Sequence, residues 1–384
     1  MNFVFTRSWV LVMFRSVSQS LRQRASRRNR CFSTLLQSSF GLPENVLSYT
    51  KTPPSVKTES SSTSVKWLYS PINPADKNIL EGVYPLKPSA FPAVPGSEGV
   101  GEIVTSPKHP PGTLVFPRRP GFGLWTSENC AVAEDDLIVL PPSMQKMDPL
   151  LLSAITVNPC TALRMLKDFI PVLESGGKDV VIQNLPNSAV GRVVSQICKA
   201  NNVSCIALAR RGDRDDAEWF NLRRELKGLG NVDVVDESSP SVVADAVEIL
   251  SGLRGNSGNI LALNGVGGRP ASALQKIICD SAAGIPTVGH PPTVVTYGGM
   301  SKKPVIAGTG HLIFGDVCLR GFWMTRWYGE RMDGDGLQER VAMYEDVVCM
   351  IENGELVLPE KTVFPLKNWG DAIAAGKNAV FECK

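Results

Sequence analysis

The stretch 179–211 constrains this chain more than any other. DVVIQN (179–184) is a continuous apolar run of strand length. NSAVG (187–191) opens into RVVSQICKA, with helical spacing at Val190, Val194, Ile197 and Cys198, and CIALA (205–209) follows as a second apolar strand. Strand, turn, helix, strand, with both strands apolar throughout, is the βαβ unit of a parallel sheet covered by helices on both faces. The pattern continues with strands in NILALNG (259–265), TVVTYGG (293–299) and VCLRGFW (317–323), and with helices near 217–228 and 270–279. Leu337, Val341, Tyr344, Val348 and Ile351 recur every three or four residues, which predicts an amphipathic helix stopped at Gly354. The Asn158-Pro159 pair predicts another helix start, because Asn caps well and Pro fits the first helical position.

Before residue 158 the texture differs. VKWLY, GVGEIV, TLVFP and DDLIVL are short apolar bursts broken by Pro and Gly, which suits strands and turns of a β-rich domain. The tail from Glu355 returns to that texture. A chain of 384 residues has room for both domains.

The turn Asn184–Gly191 is a candidate phosphate site, since helix N-termini present unpaired N–H groups to anions. It is not a G-x-G-x-x-G, and alone it reads equally well as an ordinary strand–helix turn. The next strand end tips the balance. An NAD site usually places an acid there, on the ribose hydroxyls. This chain has Arg210-Arg211, whose guanidinium groups suit a 2′-phosphate and favour NADPH over NADH. A solvated basic loop stays open as the alternative, because Asp213, Asp215 and Asp216 follow closely.

Other partners find little support. A net charge of +3, with no basic stripe in the folded part, implies no nucleic acid. The nine cysteines are scattered without a C-x-x-C pair, which excludes a disulfide framework and a zinc spacing and fits a reducing compartment. His109, His290 and His311 read as loop or surface residues, so no metal is expected.

Residues 1–40 contain no acid and are rich in Arg and Ser, the composition of an organellar transit peptide. Arg30-Cys31-Phe32-Ser33 resembles a mitochondrial processing site, which predicts a mitochondrial matrix protein. A plastid address stays open. The apolar run Trp9–Phe14 is too short to span a membrane. Residues 41–65, rich in Pro, Ser and Thr, read as a linker.

NPADKNILEGVYP, PAVPGSEGVGEI, TVNPCTALRML, VIQNLPNSAVG, VTYGGMSKKP and LRGFW occur in one order. Together they closely resemble the mitochondrial trans-2-enoyl-CoA reductase family, a zinc-free branch of the medium-chain dehydrogenases/reductases. The match runs from about Asn73 to about Trp327 and more weakly to about Ala375. The resemblance implies an α/β protein: a GroES-like β-rich catalytic domain (66–157 and 329–384) with an inserted Rossmann doubly wound parallel sheet (158–328). It implies NADPH-dependent reduction of a 2-enoyl-CoA or 2-enoyl-acyl carrier protein, in mitochondrial fatty-acid synthesis, by a homodimer.

Residue by residue, Tyr84 matches the family's catalytic tyrosine. Trp323 matches a tryptophan near the nicotinamide and the acyl entrance. Asn158 matches a residue touching the cofactor, and Asn187, Ser188, Ala189 and Val190 match the pyrophosphate turn. Tyr297, Gly298, Gly299 and Met300 match the strand end flanking the nicotinamide, and Phe322, Trp323, Met324 and Thr325 match a further cofactor-lining stretch. Gly96-Ser97-Glu98 stands where zinc-dependent relatives have Gly-His-Glu.

The chain departs from the family in four places. Of the first strands only Lys66–Ser70 is expected to survive. The loop at about 104–113 is short, residues 280–292 look like an inserted exposed loop, and GKNAVFECK stops short of a final strand. These departures predict an eroded catalytic sheet with an exposed edge. They keep open a catalytically weak NADPH-binding protein, beside a quinone or 2-alkenal reductase of the same fold.

Overall fold

The computed structural model describes residues 32–52, 63–121, 123–176, 178–254, 258–282, 290–376 and 378–383. The expected leader up to residue 31, the Ser-rich stretch 53–62 and residues 283–289 of the expected insertion lie outside them. The chain divides into two compact units. One runs to Leu140 and resumes at Lys361; the other is Pro141–Glu360.

The first unit is β-rich. It holds β1 (Phe32–Gln37), α1 (Pro43–Val46), β2 (Leu47–Thr52), β3 (Thr63–Pro71), α2 (Pro74–Leu80), β4 (Val100–Thr105), β5 (Leu114–Pro117), β6 (Cys130–Val132) and β7 (Leu137–Val139), and after the return β14 (Thr362–Pro365), α12 (Trp369–Ala375) and β15 (Ala379–Glu382). The main sheet runs β14-β15-β3-β4-β5-β7, with β6 also paired to β3, and β1 and β2 form an antiparallel hairpin. Its core gathers Leu35, Trp67, Leu80, Ile103, Leu124, Trp125 and Phe381.

Several expectations are corrected here. Residues 32–40 belong to the fold, not to a leader. Residues 41–65 are not a plain linker, since they include α1, β2 and the start of β3. Composition averaged over forty residues hid FSTLLQ, whose Leu35 is fully buried. The hairpin's many Thr and Ser residues also read as polar linker, although Thr is a good strand former. Among the described residues, therefore, this sheet is not eroded. The C-terminal residues supply β15, an interior strand between β14 and β3.

The second unit holds α3 (Pro149–Leu152), α4 (Asn158–Asp168), β8 (Val180–Asn184), α5 (Ala189–Ala200), β9 (Ser204–Ala209), α6 (Asp216–Gly228), β10 (Asn231–Asp236), α7 (Val242–Arg254), β11 (Ile260–Asn264), α8 (Gly268–Ala282), β12 (Thr293–Thr296), α9 (Thr309–Phe314), β13 (Cys318–Gly321), α10 (Met324–Gly329) and α11 (Gly334–Glu352). Its strands are all parallel, in the order β10-β9-β8-β11-β12-β13. This is the doubly wound dinucleotide-binding order, reversing at β8. Leu208 lies opposite Asn184, Asn264 opposite Thr296, and Thr296 opposite Gly321. Asn264 meets Asn184 one step beyond the Leu263–Gln183 pair.

The boundaries expected at 157/158 and 328/329 fall inside this unit, and the helix at 334–352 belongs to it. A switch from strand texture to helix texture marks where local structure changes, not where the chain leaves one core for another. Of the expected 280–292 insertion, residues 280–282 finish α8 and 290–292 lead into β12. Among the described residues no helix is long and apolar enough to cross a membrane.

Burial of Leu35 yields a test. Leu35→Ala is expected to cost roughly 2–5 kcal/mol in urea unfolding. A chain starting at Ser33 should keep the full-length midpoint. A cost near zero for Leu35→Ala would show that β1 stands outside the cooperative core.

Candidate active site

In the second unit the segments singled out in the sequence meet along one edge of the sheet, at the C-terminal ends of its strands. The turn after β8 is tight. Leu185 has a positive φ of 62°, and the Ser188 amide donates to the Leu185 carbonyl at 3.1 Å. Ser188 caps α5 by accepting from the Gly191 amide at 3.0 Å. A Cβ on Gly191 would lie 2.5 Å from the Leu185 carbonyl oxygen, so only glycine lets the helix start this close to the strand. The amides of Ala189 and Val190, in the first turn, have no intrahelical acceptor and suit an anion. Asn187 sits in the same turn.

Beyond β9 the two arginines differ. Arg211 donates to Asp216 at 2.5 Å, and its amide donates to the Asp236 side chain at 3.0 Å. Arg214 reaches back to the carbonyls of Arg210 and Arg211. Arg210 is exposed, and among the described residues no carboxylate reaches it as a salt bridge. Glu237, next to β10, lies abreast of it, its amide donating to the Ala209 carbonyl at 2.9 Å. Burial pushes the Glu237 carboxyl up to about 7, against the pull of Arg210 and with help from Asp236. Its Oε1 is buried without a partner.

The middle of the edge carries a side-chain row that the sequence analysis did not single out. Asn184 accepts from the Gly265 amide at 2.8 Å and donates to Asn264 at 2.9 Å. Asn264 donates to the Thr296 hydroxyl at 3.1 Å and also accepts from the amides of Val266 and Gly267. The signal was present: three apolar strands, VVIQN, ILALN and TVVT, each end on a polar side chain. The loop after β12 packs on the loop after β11. Met300 and Ser301 donate to the carbonyls of Gly265 and Val266. The Tyr297 hydroxyl is buried against Gly265, and burial pushes it up to about 12, with Ser188 opposing. Gly298 approaches the Gly265 carbonyl closely, while Gly299 and Met300 are exposed.

At the last strand Trp323 caps α10, its carbonyl accepting from the amides of Arg326 and Trp327. Phe322 packs edge-on against Phe169, Met324 is buried and Thr325 is partly exposed. Asn158 opens α4, and the Tyr328 hydroxyl bonds the Thr156 carbonyl just before it, which ties the α10 segment to the start of α4.

Tyr84 lies in the first unit, after α2. That helix opens with a capping box of Asn73 and Asp76. At its other end the amides of Val83 and Tyr84 both donate to the Asn78 carbonyl, at 3.0 and 3.2 Å. Gly82 has φ +75°, and a Cβ there would strike the Phe40 ring at 2.7 Å. The Gln37 side chain and the Gly41 amide both donate to the Leu80 carbonyl. Residues 37–41 thus hold the turn that carries Tyr84.

Beneath α2 lies a buried acidic pair. Glu98 accepts from Asn73 at 2.7 Å. Asp76 is pushed up to about 6 by burial, against hydrogen bonds from Asn73 and Ser97. Ser97 and Glu98, from the Gly-Ser-Glu triplet, are therefore engaged with the α2 cap. Among the described residues no group of three or more His, Cys, Asp or Glu side chains is placed to hold a metal ion.

The chain is similar to curated proteins named mitochondrial enoyl-[acyl-carrier-protein] reductase. It is 38% identical to that of Caenorhabditis elegans, over 78% of this chain and 78% of the relative. It is 36% identical to the human one, over 84% and 80%. Among solved structures, the Etr1p/NADP/crotonyl-CoA complex matches with a TM-score of 0.78 at 26% identity, covering 92% of this chain and all of that one. An Etr1p/Etr2p enoyl thioester reductase heterodimer from Candida tropicalis matches with a TM-score of 0.78, again at 26% identity and with coverage of 92% and 100%. A putative NADPH:quinone reductase from Bacillus thuringiensis, 20% identical, shares the fold with a TM-score of 0.70, covering 92% of this chain and 99% of that one. No family model matches the chain.

Proposed function

The chain belongs to the mitochondrial enoyl-[acyl-carrier-protein] reductases, and on that footing we propose that it reduces the carbon–carbon double bond of a trans-2-enoyl thioester, carried by CoA or acyl carrier protein. The reducing cofactor is NADPH. The observation that carries this reading is the phosphate turn at the reversal strand β8, with an uncommitted arginine at the end of β9.

The residues present fit the cofactor. The cradle at Gly191 has no room for a side chain, and the Ala189 and Val190 amides suit its diphosphate. Arg210 would take the 2′-phosphate, because the Arg211 guanidinium is already engaged. Asn158, Asn187, Ser188, the Tyr297–Met300 loop and Phe322–Thr325 would line the rest, with Trp323 at the nicotinamide end. NADPH, when bound, supplies the hydride that adds to the thioester's Cβ.

Tyr84 answers the charge that this addition drives onto the thioester oxygen. Its phenol would donate a hydrogen bond there; when Cα takes up that proton the enolate collapses to the saturated thioester and the phenolate left behind regains a proton from solvent. The turn built by Gly82, Asn78 and residues 37–41 fixes the backbone that carries Tyr84.

The compartment is the mitochondrion, and the matrix is the reading we favour for an acid-free, arginine-rich leader. We also propose a homodimer. Among the described residues β13 is a sheet edge paired only with β12, and in the segment leading into it Ile306, Ile313 and Phe314 are 67%, 66% and 88% exposed. An apolar patch next to an open edge strand suits a second copy of the chain.

Three measurements test these statements. NADPH oxidation should proceed with crotonyl thioesters and hardly at all with a quinone. In Tyr84→Phe it should fall about 10²–10³-fold with NADPH binding intact; near-normal turnover would reduce Tyr84 to a packing residue. Arg210→Ala should weaken NADPH, but not NADH, by roughly tenfold or more, and Arg211→Ala by less; equal losses for both cofactors would refute the phosphate role. Sedimentation should give a dimer that Phe314→Glu dissociates, and a wild-type monomer at micromolar concentration would end the dimer proposal.

A further inference from the structure

The row Asn184–Asn264–Thr296 has a direction, set by backbone amides that cannot be reversed. The Gly265 N–H points at the Asn184 oxygen, so the Asn184 NH₂ faces Asn264. The Asn264 oxygen receives three donors: the Asn184 NH₂ and the amides of Val266 and Gly267, at 2.9, 3.2 and 3.1 Å. A flipped Asn264 would set its own NH₂ against all three. Its NH₂ must therefore face Thr296, which accepts at 3.1 Å.

A hydroxyl that accepts still carries one proton to give. Among the described residues nothing accepts it. Burial falls along the row: Asn184 and Asn264 are fully buried, while Thr296 is partly exposed. The next in-register residue is Gly321, on the same face as Thr296, and a Cβ built on it would meet nothing within 4 Å. The row thus ends in a donor beside open space.

Direction along the sheet says what fills that space. The phosphate turn follows β8, and the arginines mark the adenosine side, over β9 and β10. A dinucleotide lying across the reversal must put its other half over β11, β12 and β13. The group there that needs a neutral donor is the carboxamide of the nicotinamide ring. We propose that the Thr296 hydroxyl donates to the carboxamide oxygen, and that Asn184 and Asn264 are positioning residues that keep its proton pointed outward. Each bond in such a row also polarises the next, which strengthens the terminal donor. The proposal rests on the cofactor-site reading above.

The test separates the two by ligand. Binding of 2′,5′-ADP reports the adenosine and phosphate half alone. Reduced thionicotinamide adenine dinucleotide phosphate has sulfur, a poor acceptor, in place of the carboxamide oxygen. Thr296→Val keeps the shape and removes the hydroxyl. It should raise the NADPH dissociation constant roughly five- to tenfold, leave 2′,5′-ADP unchanged, and cost little with the thio analogue. Thr296→Ser should restore wild-type binding. Asn264→Asp keeps the acceptor for the Val266 and Gly267 amides but turns the Thr296 proton inward, so it should reproduce the loss without deleting the hydroxyl. Equal losses for NADPH and the thio analogue, or none for either, would overturn the proposal while leaving the cofactor site standing. Failure of the wild type to bind 2′,5′-ADP would overturn the cofactor site, and the proposal with it.

Discussion

The reversal of strand order at β8 is the constraint on which the cofactor unit depends. Connections on its two sides leave the sheet in opposite directions, and the gap between them opens at the strands' C-terminal ends. That gap is useful only if a helix start can be brought right up to the strand. Gly191 meets this condition, since any side chain there would run into the Leu185 carbonyl. The same closeness leaves polar backbone buried at the top of the sheet, and a buried N–H without an acceptor is costly. Asn184 and Asn264 satisfy the amides of residues 265–267 and so hold the loops that flank the gap.

The first unit solves a comparable problem at Tyr84. A short helix such as α2 has little stability of its own. Its start is fixed by a capping box of Asn73 and the buried Asp76, with Asn73 also held by the buried Glu98, and its end by residues 37–41. Burial raises Asp76 to about 6, which means that the hydrogen bonds of the cap offset only part of the desolvation cost. The turn to Tyr84 therefore draws on strand β1, more than forty residues upstream, as much as on its own Gly82.

How much of this was legible in the sequence followed from how local each signal was. The βαβ unit could be read because its strands are apolar throughout and its helix spacing is regular. Tyr84 and the proposed cofactor segments could be named from the sequence because their motifs keep one order. The hairpin β1–β2 could not. Its buried leucines, Leu35 and Leu47, sit in strands otherwise rich in Ser, Thr and Gln (Ser33, Thr34, Gln37, Ser48 and Thr50), which pair in the sheet but read as linker. The unit boundary was misplaced because the amphipathic helix at 334–352 gives no sign of which core it packs on. Asn264 and Thr296 were passed over because their importance lies in being neighbours across strands, a relation set by register and not by sequence distance.

The two ends of the cofactor edge share one physical logic. In each, neighbours are saturated so that a single donor is left uncommitted. At the nicotinamide end three donors converge on the Asn264 oxygen, which orients its amide and frees the Thr296 proton. At the end of β9, where the adenosine half is proposed to lie, Asp216 engages Arg211, and among the described residues no salt bridge reaches Arg210. Glu237 completes the arrangement. An ionised carboxylate abreast of Arg210 would compete with a phosphate for the guanidinium. Burial raises this carboxyl to about 7, so it competes less for the guanidinium as pH falls below that value and more as pH rises above it. On the proposed reading, selectivity at this edge depends on which neighbouring groups are already engaged as much as on which group meets the ligand.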